Sequence, residues 1–255
     1  MDQPLANPSL KSTCSPEEWA ARVELAACYR LVHHFRMTDL IYNHITVRVP
    51  GRHDQFLINP YGVMYKDMTA SGMVKIDLDG NLLEPSPWQV NQAGFVIHSA
   101  IHAAREDAGC VLHTHTRAGV AVSAMKRGLL PISQQATVIM NSLAYHDYEG
   151  IAVRDDERTR LQQHLGTANY LMLRNHGLLT VGRTVGDAFL HMYTFESACQ
   201  IQVGALAGGE VIEVGEPVMD TVKHALSVQR NALPISEVYA AMKRKLDRRN
   251  PGYEQ

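Results

Sequence analysis

The sequence has few cysteines and no long apolar run, and both absences narrow the kind of protein it encodes. The four cysteines among its 255 residues are scattered, and no two share a CxxC spacing. Isolated thiols of this kind argue against a disulfide framework and predict a reducing compartment. No uninterrupted apolar stretch approaches the roughly 18 residues of a membrane span, and residues 1–4 lack the character of a signal peptide. We therefore expect a cytoplasmic protein with no membrane partner.

A strong charge of either sign is also missing. The 24 lysines and arginines nearly balance the 26 acidic residues, so the formal net charge of −2 gives no reason to expect nucleic acid as a partner. The one basic run, from Lys243 to Arg249, is typical of a solvated helix C-terminus. The length allows a substantial core. Because there is no internal repeat or low-complexity linker, we expect one domain over residues 1–255.

The apolar pattern predicts a mixture of helices and strands. Ser15 as N-cap, Pro16 at the first helical position and Glu18 three residues after the cap predict a helix that ends near Arg36. Alternation or short apolar runs predict strands over residues 42–49, 55–60, 74–77, 81–83, 111–115, 136–140, 170–176 and 178–181. Helical spacing predicts helices over residues 88–105, 118–125, 155–165, 184–206 and 237–248. Residues 1–14 are predicted to be a loose arm and residues 145–150 a polar loop. This mixture predicts a central sheet covered on both faces.

Histidines at the ends of two apolar runs give the clearest chemical signal. His113 and His115 lie on one run, and because strand side chains alternate, both point to the same face, opposite to Cys110. A second run ends at His176, just before a glycine. Three imidazoles from two strand ends predict an open metal site with three protein ligands. The alternative is that these are hydrogen-bonded structural histidines, since the chain has 13.

Four motifs together resemble the class II aldolase/adducin family over residues 17–210. They are Asn43-His44-Ile45-Thr46-Val47-Arg48, Leu57-Ile58-Asn59-Pro60-Tyr61-Gly62, Val111-Leu112-His113-Thr114-His115 and Arg174-Asn175-His176-Gly177. Within that family the chain is most similar to the adducin head domain, on the stretches 90–101, 122–131 and 144–148. The resemblance implies an α/β fold, a three-layer αβα sandwich with a mixed, largely antiparallel central sheet.

The resemblance also implies which parts of an aldolase site are kept. The family's metal-binding histidines fall on His113, His115 and His176, and in the aldolases they hold a divalent ion, usually Zn²⁺, that polarises a carbonyl. The aldolases' catalytic glutamate falls on Gly94, which cannot transfer a proton. Their paired phosphate-binding serines fall on Gln92 and Ala93, so a sugar phosphate is a less suitable substrate. A reduced substrate pocket is expected at Asn43, Thr46 and Gly62. His98, one helical turn after Gly94, is a weak candidate for a replacement base.

Three functional hypotheses follow from this resemblance. The first is a metal-dependent lyase-like enzyme (an aldolase, decarboxylase or epimerase relative) that acts on a small hydroxy- or oxo-carbonyl compound. The second is a non-catalytic adducin-like scaffold, for which actin or cytoskeletal binding rests on the family alone. The third is a structural metal site without turnover. We favour the first. The family further implies a homo-oligomer, typically a cyclic tetramer, in which residues 208–255 reach a neighbouring subunit.

Overall fold

The computed structural model of the protein describes residues 10–150, 155–228 and 235–255. The strands in these ranges are β1 (His44–Arg48), β2 (Gln55–Ile58), β3 (Val74–Asp77), β4 (Cys110–Thr114), β5 (Leu143–His146), β6 (Tyr170–Leu173) and β7 (Gly177–Gly182). The helices are α1 (Leu10–Thr13), α2 (Pro16–His34), α3 (Gln92–Ala104), α4 (Arg117–Ser123), α5 (Gln134–Met140), α6 (Asp155–Leu165), α7 (Val185–Ala207), α8 (Glu216–Val228) and α9 (Ile235–Arg249).

One mixed sheet contains all of these strands, in the order β3-β2-β1-β4-β7-β6-β5. Every neighbouring pair is antiparallel except β5 and β6, which are parallel. Side chains alternate along β4, so Leu112 packs in a core with α2 and α7, whereas Val111 packs with Ile101 of α3 and Leu161 of α6. The sheet is therefore covered on both faces, and the predicted three-layer αβα sandwich with a largely antiparallel sheet is confirmed.

Side-chain caps fix the starts of the two longest helices. Ser15 accepts a hydrogen bond from the backbone N–H of Glu18 at 3.1 Å, so α2 begins where its sequence predicts. Thr184 and Asp187 form a reciprocal capping box at the start of α7. In both helices the residues that bond the free N–H groups are local in sequence. This is why the pattern alone located these helices.

Several shorter segments differ from expectation. Residues 136–140, predicted as a strand, belong to helix α5, because Ser133 caps the N–H of Ala136 and begins a helix there. The predicted strand over residues 81–83 is a single bridge between Ile76 and Leu82. Tyr145 and His146, predicted in a loop, pair with β6 as part of β5. An edge strand with polar residues has too short a pattern to be recognised without its partner.

The predicted extensions at the two ends also have structure. Leu10–Thr13, within the expected loose arm, form the short helix α1, and residues 1–9 lie outside the described residues. At the other end α9 packs on α2 and α7, and the Lys243 ammonium pairs with Glu24. The buried Arg30 guanidinium donates to the carbonyl of Pro251 at 2.6 Å. The last residues thus pack on their own chain, and a contact with another subunit stays a prediction. The helices of the described ranges include none with the length and hydropathy of a membrane span.

Candidate metal centre

Three histidines converge at one end of the central strands. His113 lies on β4, His115 follows that strand, and His176 lies in the turn between β6 and β7. The antiparallel pairing of β4 with β7 places Thr114 opposite Leu178, which brings this turn beside the end of β4. The Nε2 atom of His115 lies 2.7 Å from Nε2 of His113 and 3.0 Å from Nε2 of His176. The structure therefore brings together the three residues that the sequence singled out.

The backbone around His176 needs two unusual residues for this approach. Asn175 has a φ of +56°, a left-handed conformation that asparagine adopts more readily than most residues. Gly177 lies so close to β4 that a Cβ atom there would overlap the carbonyl oxygen of Thr114. A larger residue at position 177 would push the two strands apart and move His176 away from His115.

Hydrogen bonds on the far side of two rings determine which nitrogen faces the cluster. The Nδ1–H of His113 donates to the carbonyl of Leu178 at 2.9 Å, and the Nδ1–H of His115 donates to the carboxylate of Asp39 at 3.3 Å. A neutral imidazole carries one N–H, so the Nε2 atoms of both rings hold lone pairs. The tautomers are thus fixed in the form that binds a metal ion.

This donor set fits a divalent ion. Two lone pairs 2.7 Å apart repel each other, and a cation between them removes the repulsion. A tetrahedral zinc ion with Zn–N bonds of ~2.0–2.1 Å keeps nitrogen ligands about 3.3 Å apart. The rings would therefore need to separate by about half an ångström. The Nδ1–H groups that donate to the Leu178 carbonyl and to the Asp39 carboxylate can follow so small a movement.

Burial keeps these imidazoles neutral. It lowers the pKa of His176 to about 4 and that of His113 well below its usual value, and neighbouring histidines add to both shifts. Burial also lowers the pKa of His115, although the hydrogen bond to Asp39 acts in the opposite direction. Protons therefore do not compete for the lone pairs at neutral pH.

A cavity of about 390 Å³ opens directly onto the cluster. Its wall contains four histidines, the carboxylate of Asp39 and, at the rim, the partly exposed rings of Tyr42, Tyr61 and Tyr148. Among the described residues that line it there is no lysine or arginine. An ion held by the three histidines would face this space, so a small ligand can reach it.

A second, larger cavity lies at the opposite end of the strands. It measures about 990 Å³ and lies between α2, α9 and the beginning of α7. No histidine or cysteine is among the described residues that line it. Because the histidine cluster lines the smaller cavity and not the larger one, the smaller cavity is the candidate site.

The predicted substrate residues do not line the smaller cavity: Asn43 and Thr46 are buried, and Gly62 is exposed. Asn43 is buried, and its Oδ1 accepts the backbone N–H of Asp39 at 2.6 Å, which positions the segment carrying that carboxylate. Thr46 is buried beneath the site, with its hydroxyl 2.8 Å from both His98 and His102. Gly62 has a φ of +101°, and its neighbour Tyr61 reaches the cavity instead. Their role in substrate binding stays a prediction.

Sequence reasoning missed two residues that reach the cavity. Asp39 lies in a loop with no pattern to indicate its contact with His115. His44 lies directly opposite His113 in the pairing of β1 with β4, so both side chains point to the same face. Burial lowers the pKa of His44 to about 3, while the adjacent backbone of Gly94 acts in the opposite direction. The sequence did contain one indication of this contact. Gly94 and His98 are four residues apart and so share one face of α3, and this face packs on His44 of β1.

The sequence and the structure both resemble known proteins. The family model described as "Class II Aldolase and Adducin N-terminal domain" matches residues 23–203. The chain belongs to this family. The predicted family is thereby confirmed, and it accounts for the fold that surrounds the histidine cluster.

Individual relatives come from both branches of the family. A Caulobacter vibrioides protein named "Putative aldolase class 2 protein" is 47% identical over 254 residues, which cover 99% of this chain and 98% of that protein. Alpha-adducin of Rattus norvegicus is 50% identical over 189 residues, 73% of this chain but 26% of adducin. A crystal structure of an aldolase II superfamily protein from Pseudomonas syringae has a TM-score of 0.91 at 44% identity and covers 96% of this chain and 99% of that one.

Proposed function

We propose that this protein is a metal-dependent lyase-like enzyme, a relative of aldolases, decarboxylases and epimerases, that acts on a small hydroxy- or oxo-carbonyl compound. The observation that supports it best is the pair of lone pairs, on His113 and His115, directed at one point on the wall of an open cavity. Structural zinc sites are closed by four protein ligands, whereas three ligands beside a cavity leave a position for substrate.

Each part of the site has a separate task in this proposal. When bound, a divalent ion, for which we propose Zn²⁺, supplies a Lewis acid that polarises a substrate carbonyl. His113, His115 and His176 hold the ion. Asp39 and the Leu178 carbonyl keep two of the rings in the correct tautomer.

The charge of the cavity favours an unphosphorylated substrate. A phosphate group carries a charge near −2 and is normally met by arginine, lysine or several backbone N–H groups. The described wall offers no lysine or arginine, and its one carboxylate, Asp39, would repel the anion. Uncharged groups can instead bond to the rim tyrosines.

A non-catalytic, adducin-like role is the second candidate. It is favoured by the 50% identity to alpha-adducin over 189 residues. This chain spans about a quarter of adducin, so adducin's binding partners do not transfer with the resemblance.

We further propose a homo-oligomer, with the tetramer of the family as its form. The exposed apolar residues Val218, Leu226 and Val228 on α8 support contact between copies.

Metal analysis and a substrate screen together test the proposal. We expect the purified protein to contain about one Zn²⁺ or similar ion per chain and to cleave, decarboxylate or epimerise at least one of a set of unphosphorylated hydroxy- and oxo-carbonyl compounds. His115→Ala should lose both the ion and the activity, while His53→Ala, at an exposed site outside the cavity, should keep both. A native protein without metal and without activity would contradict the proposal. A metal-loaded protein that is inert on the whole set would favour the non-catalytic candidate.

A further inference from the structure

Three tyrosines from three separate loops surround the mouth of the smaller cavity. Tyr42 lies between α2 and β1, Tyr61 follows β2, and Tyr148 follows β5. They are 50%, 39% and 54% exposed, respectively. Single exposed rings scattered over a surface are normal, but rings gathered at one opening are typical of a ligand-binding groove.

The backbone holds two of these loops in place. The N–H of Tyr42 donates to the carbonyl of Asp39 at 3.0 Å, and the N–H of Tyr61 donates to the carbonyl of Gln89 at 2.9 Å. A tyrosine side chain has only two torsions to fix when a ligand binds. Rings on anchored loops therefore offer a large contact area at a low cost in conformational entropy.

Tyr148 connects the rim with the histidine cluster. Its ring lies edge to face against the imidazole of His176, with 6.3 Å between centroids and 69° between planes. Aromatic pairs attract each other at this separation. Because the residue is also more than half exposed, much of its ring remains free for another contact. A ligand bound to an ion on His176 would lie beside this ring.

The wall between the rim and the cluster has few polar groups for a ligand. Ile97 is 3% exposed and lines the cavity, and Gly94 and Gly150 contribute no side chain. Apart from the histidines and tyrosines, the described wall offers only the polar side chains of Asp39 and Asn91, and Asp39 already bonds to a histidine of the cluster. A sugar has a hydroxyl on nearly every carbon, and each hydroxyl that loses water without a new partner costs free energy. This wall therefore suits an apolar ring better than a polyhydroxylated chain.

The volume of the cavity exceeds what a three-carbon compound needs. One water molecule takes up ~30 Å³ in the liquid, so a cavity of about 390 Å³ has room for about thirteen. A three-carbon hydroxy-carbonyl compound fills less than half of that space. A compound that also carries a phenyl ring fills most of it.

We propose that the rim tyrosines bind an aromatic ring of the substrate, an inference that rests on the proposed function. The substrate class is then an unphosphorylated hydroxy- or oxo-carbonyl compound with an aryl group on or next to its carbonyl carbon. The carbonyl oxygen faces the three-histidine cluster, and the aryl ring lies among Tyr42, Tyr61 and Tyr148. Each aromatic contact of this kind raises affinity by about 2- to 12-fold.

Ligands that differ only in the ring test this substrate class. Hydroxyacetone and 2-hydroxyacetophenone are both neutral hydroxyketones, and the second has a phenyl group where the first has a methyl group. We would measure their dissociation constants for the metal-loaded protein by ligand-observed NMR. We expect the phenyl compound to bind at least about tenfold more tightly. Its cyclohexyl analogue, which is as large but not aromatic, and an unphosphorylated ketohexose should both bind more weakly than it does.

Substitutions at the rim test where the aryl ring binds. Tyr42→Ala, Tyr61→Ala and Tyr148→Ala should each weaken binding of 2-hydroxyacetophenone by about 2- to 12-fold, with the metal content and the affinity for hydroxyacetone close to wild type. Tyr148→Phe keeps the ring and should bind like wild type. Tyr193→Ala is the matched control, because Tyr193 is 42% exposed on α7 and does not line the cavity.

The outcomes separate failure of the aryl site from failure of the proposed function. Equal affinities for the phenyl compound and either hydroxyacetone or the cyclohexyl analogue, tighter binding of the ketohexose, or an equal loss in Tyr193→Ala would overturn the aryl site. Rim variants that change the elution volume in size-exclusion chromatography would assign these tyrosines to a contact between copies and would overturn it too. An active wild type without a preference for the phenyl compound would refute the aryl site alone. A protein that binds the phenyl compound at the rim but converts none of the carbonyl compounds would refute the proposed function and keep the aryl site.

Discussion

At the scale of single residues, the metal site depends on groups that do not touch the ion. The carbonyl of Leu178 and the carboxylate of Asp39 each accept an Nδ1–H and so direct the opposite nitrogen toward the cluster. The first of these acceptors belongs to the backbone and cannot be lost by substitution. Asp39 is a side chain in a loop, and Asn43 holds that loop through the Asp39 N–H.

Replacing Asp39 should therefore weaken metal binding without removing a ligand. We expect Asp39→Ala to raise the dissociation constant for Zn²⁺ by about 10–100-fold, because the His115 ring loses the acceptor that fixes its tautomer. Competition with a chromogenic chelator measures the constant. Asp54→Ala, at an exposed turn that does not line the cavity, is the matched control and should leave it unchanged. Equal affinities for the two variants would show that His115 does not need this carboxylate.

At the scale of elements, the site depends on how closely β4 and β7 approach. Gly177 begins β7, and its backbone lies against the carbonyl of Thr114. The atom that Gly177 approaches is a backbone carbonyl oxygen of β4, and it cannot move away as the end of a flexible side chain can. The closeness of this pair is what sets His176 beside His115.

Adding one methyl group at Gly177 should thus disturb both fold and site. We expect Gly177→Ala to destabilise the protein by about 1–3 kcal/mol and to lower its metal content. Gly204, within α7 and with open space around it, is a matched control. Gly204→Ala should stabilise the protein by about 0.5–1 kcal/mol, because alanine favours a helix. Urea denaturation of the three proteins measures both effects, and a neutral result at Gly177 would mean that the strands can separate without loss.

The elements that sequence could predict are those with local determinants. Caps at Ser15 and Thr184 lie within four residues of the groups they bond, and both helix starts were correct. Residues 136–140 were assigned to a strand because three of them favour strands in isolation, yet a cap at Ser133 and packing against α7 make them helical. The parallel edge strand β5 depends on β6, whose paired residues lie 27 positions later in the chain, and no local pattern can show that.

At the scale of the whole molecule, the fold keeps several imidazoles uncharged in its interior. Among them, burial and the nearby Arg48 lower the pKa of His102 to about 3, and burial lowers that of His98 well below its usual value. In the unfolded chain a histidine has a pKa of about 6.5. The unfolded state therefore binds more protons below that pH, and stability is present above it and lost as the pH falls.

Stability should accordingly decline between pH 6.5 and pH 5, by about 1.4 kcal/mol per pH unit for each such histidine. Denaturation of the chelator-treated protein at several pH values gives this slope. His102→Gln should reduce the slope by about one proton even if it lowers stability overall. Gly204→Ala, which removes no titratable group, should keep the wild-type slope. An unchanged slope in His102→Gln would show that this ring is protonated in the folded protein.

The candidate site divides in the same way as the fold. His113 and His115 were found because alternation within one strand is a local rule, and His176 because it too ends an apolar run. Asp39 and His44 were not found. The position of His44 depends on strand register, and that of Asp39 depends on how its loop is held beside the cluster. Residues that hold or complement a ligand come from distant parts of the chain, and only three-dimensional structure brings them together.

The unshared electron pairs of His113 and His115 also bear on which metal the protein acquires. A set of three imidazoles follows the general affinity order of divalent transition metals, in which copper and nickel rank with or above zinc. Nothing in the ring arrangement ranks these ions by size or charge. The ion found in a purified sample will accordingly reflect what the growth medium and the cell supplied, and preparations from different hosts should differ in metal although their polypeptides are identical.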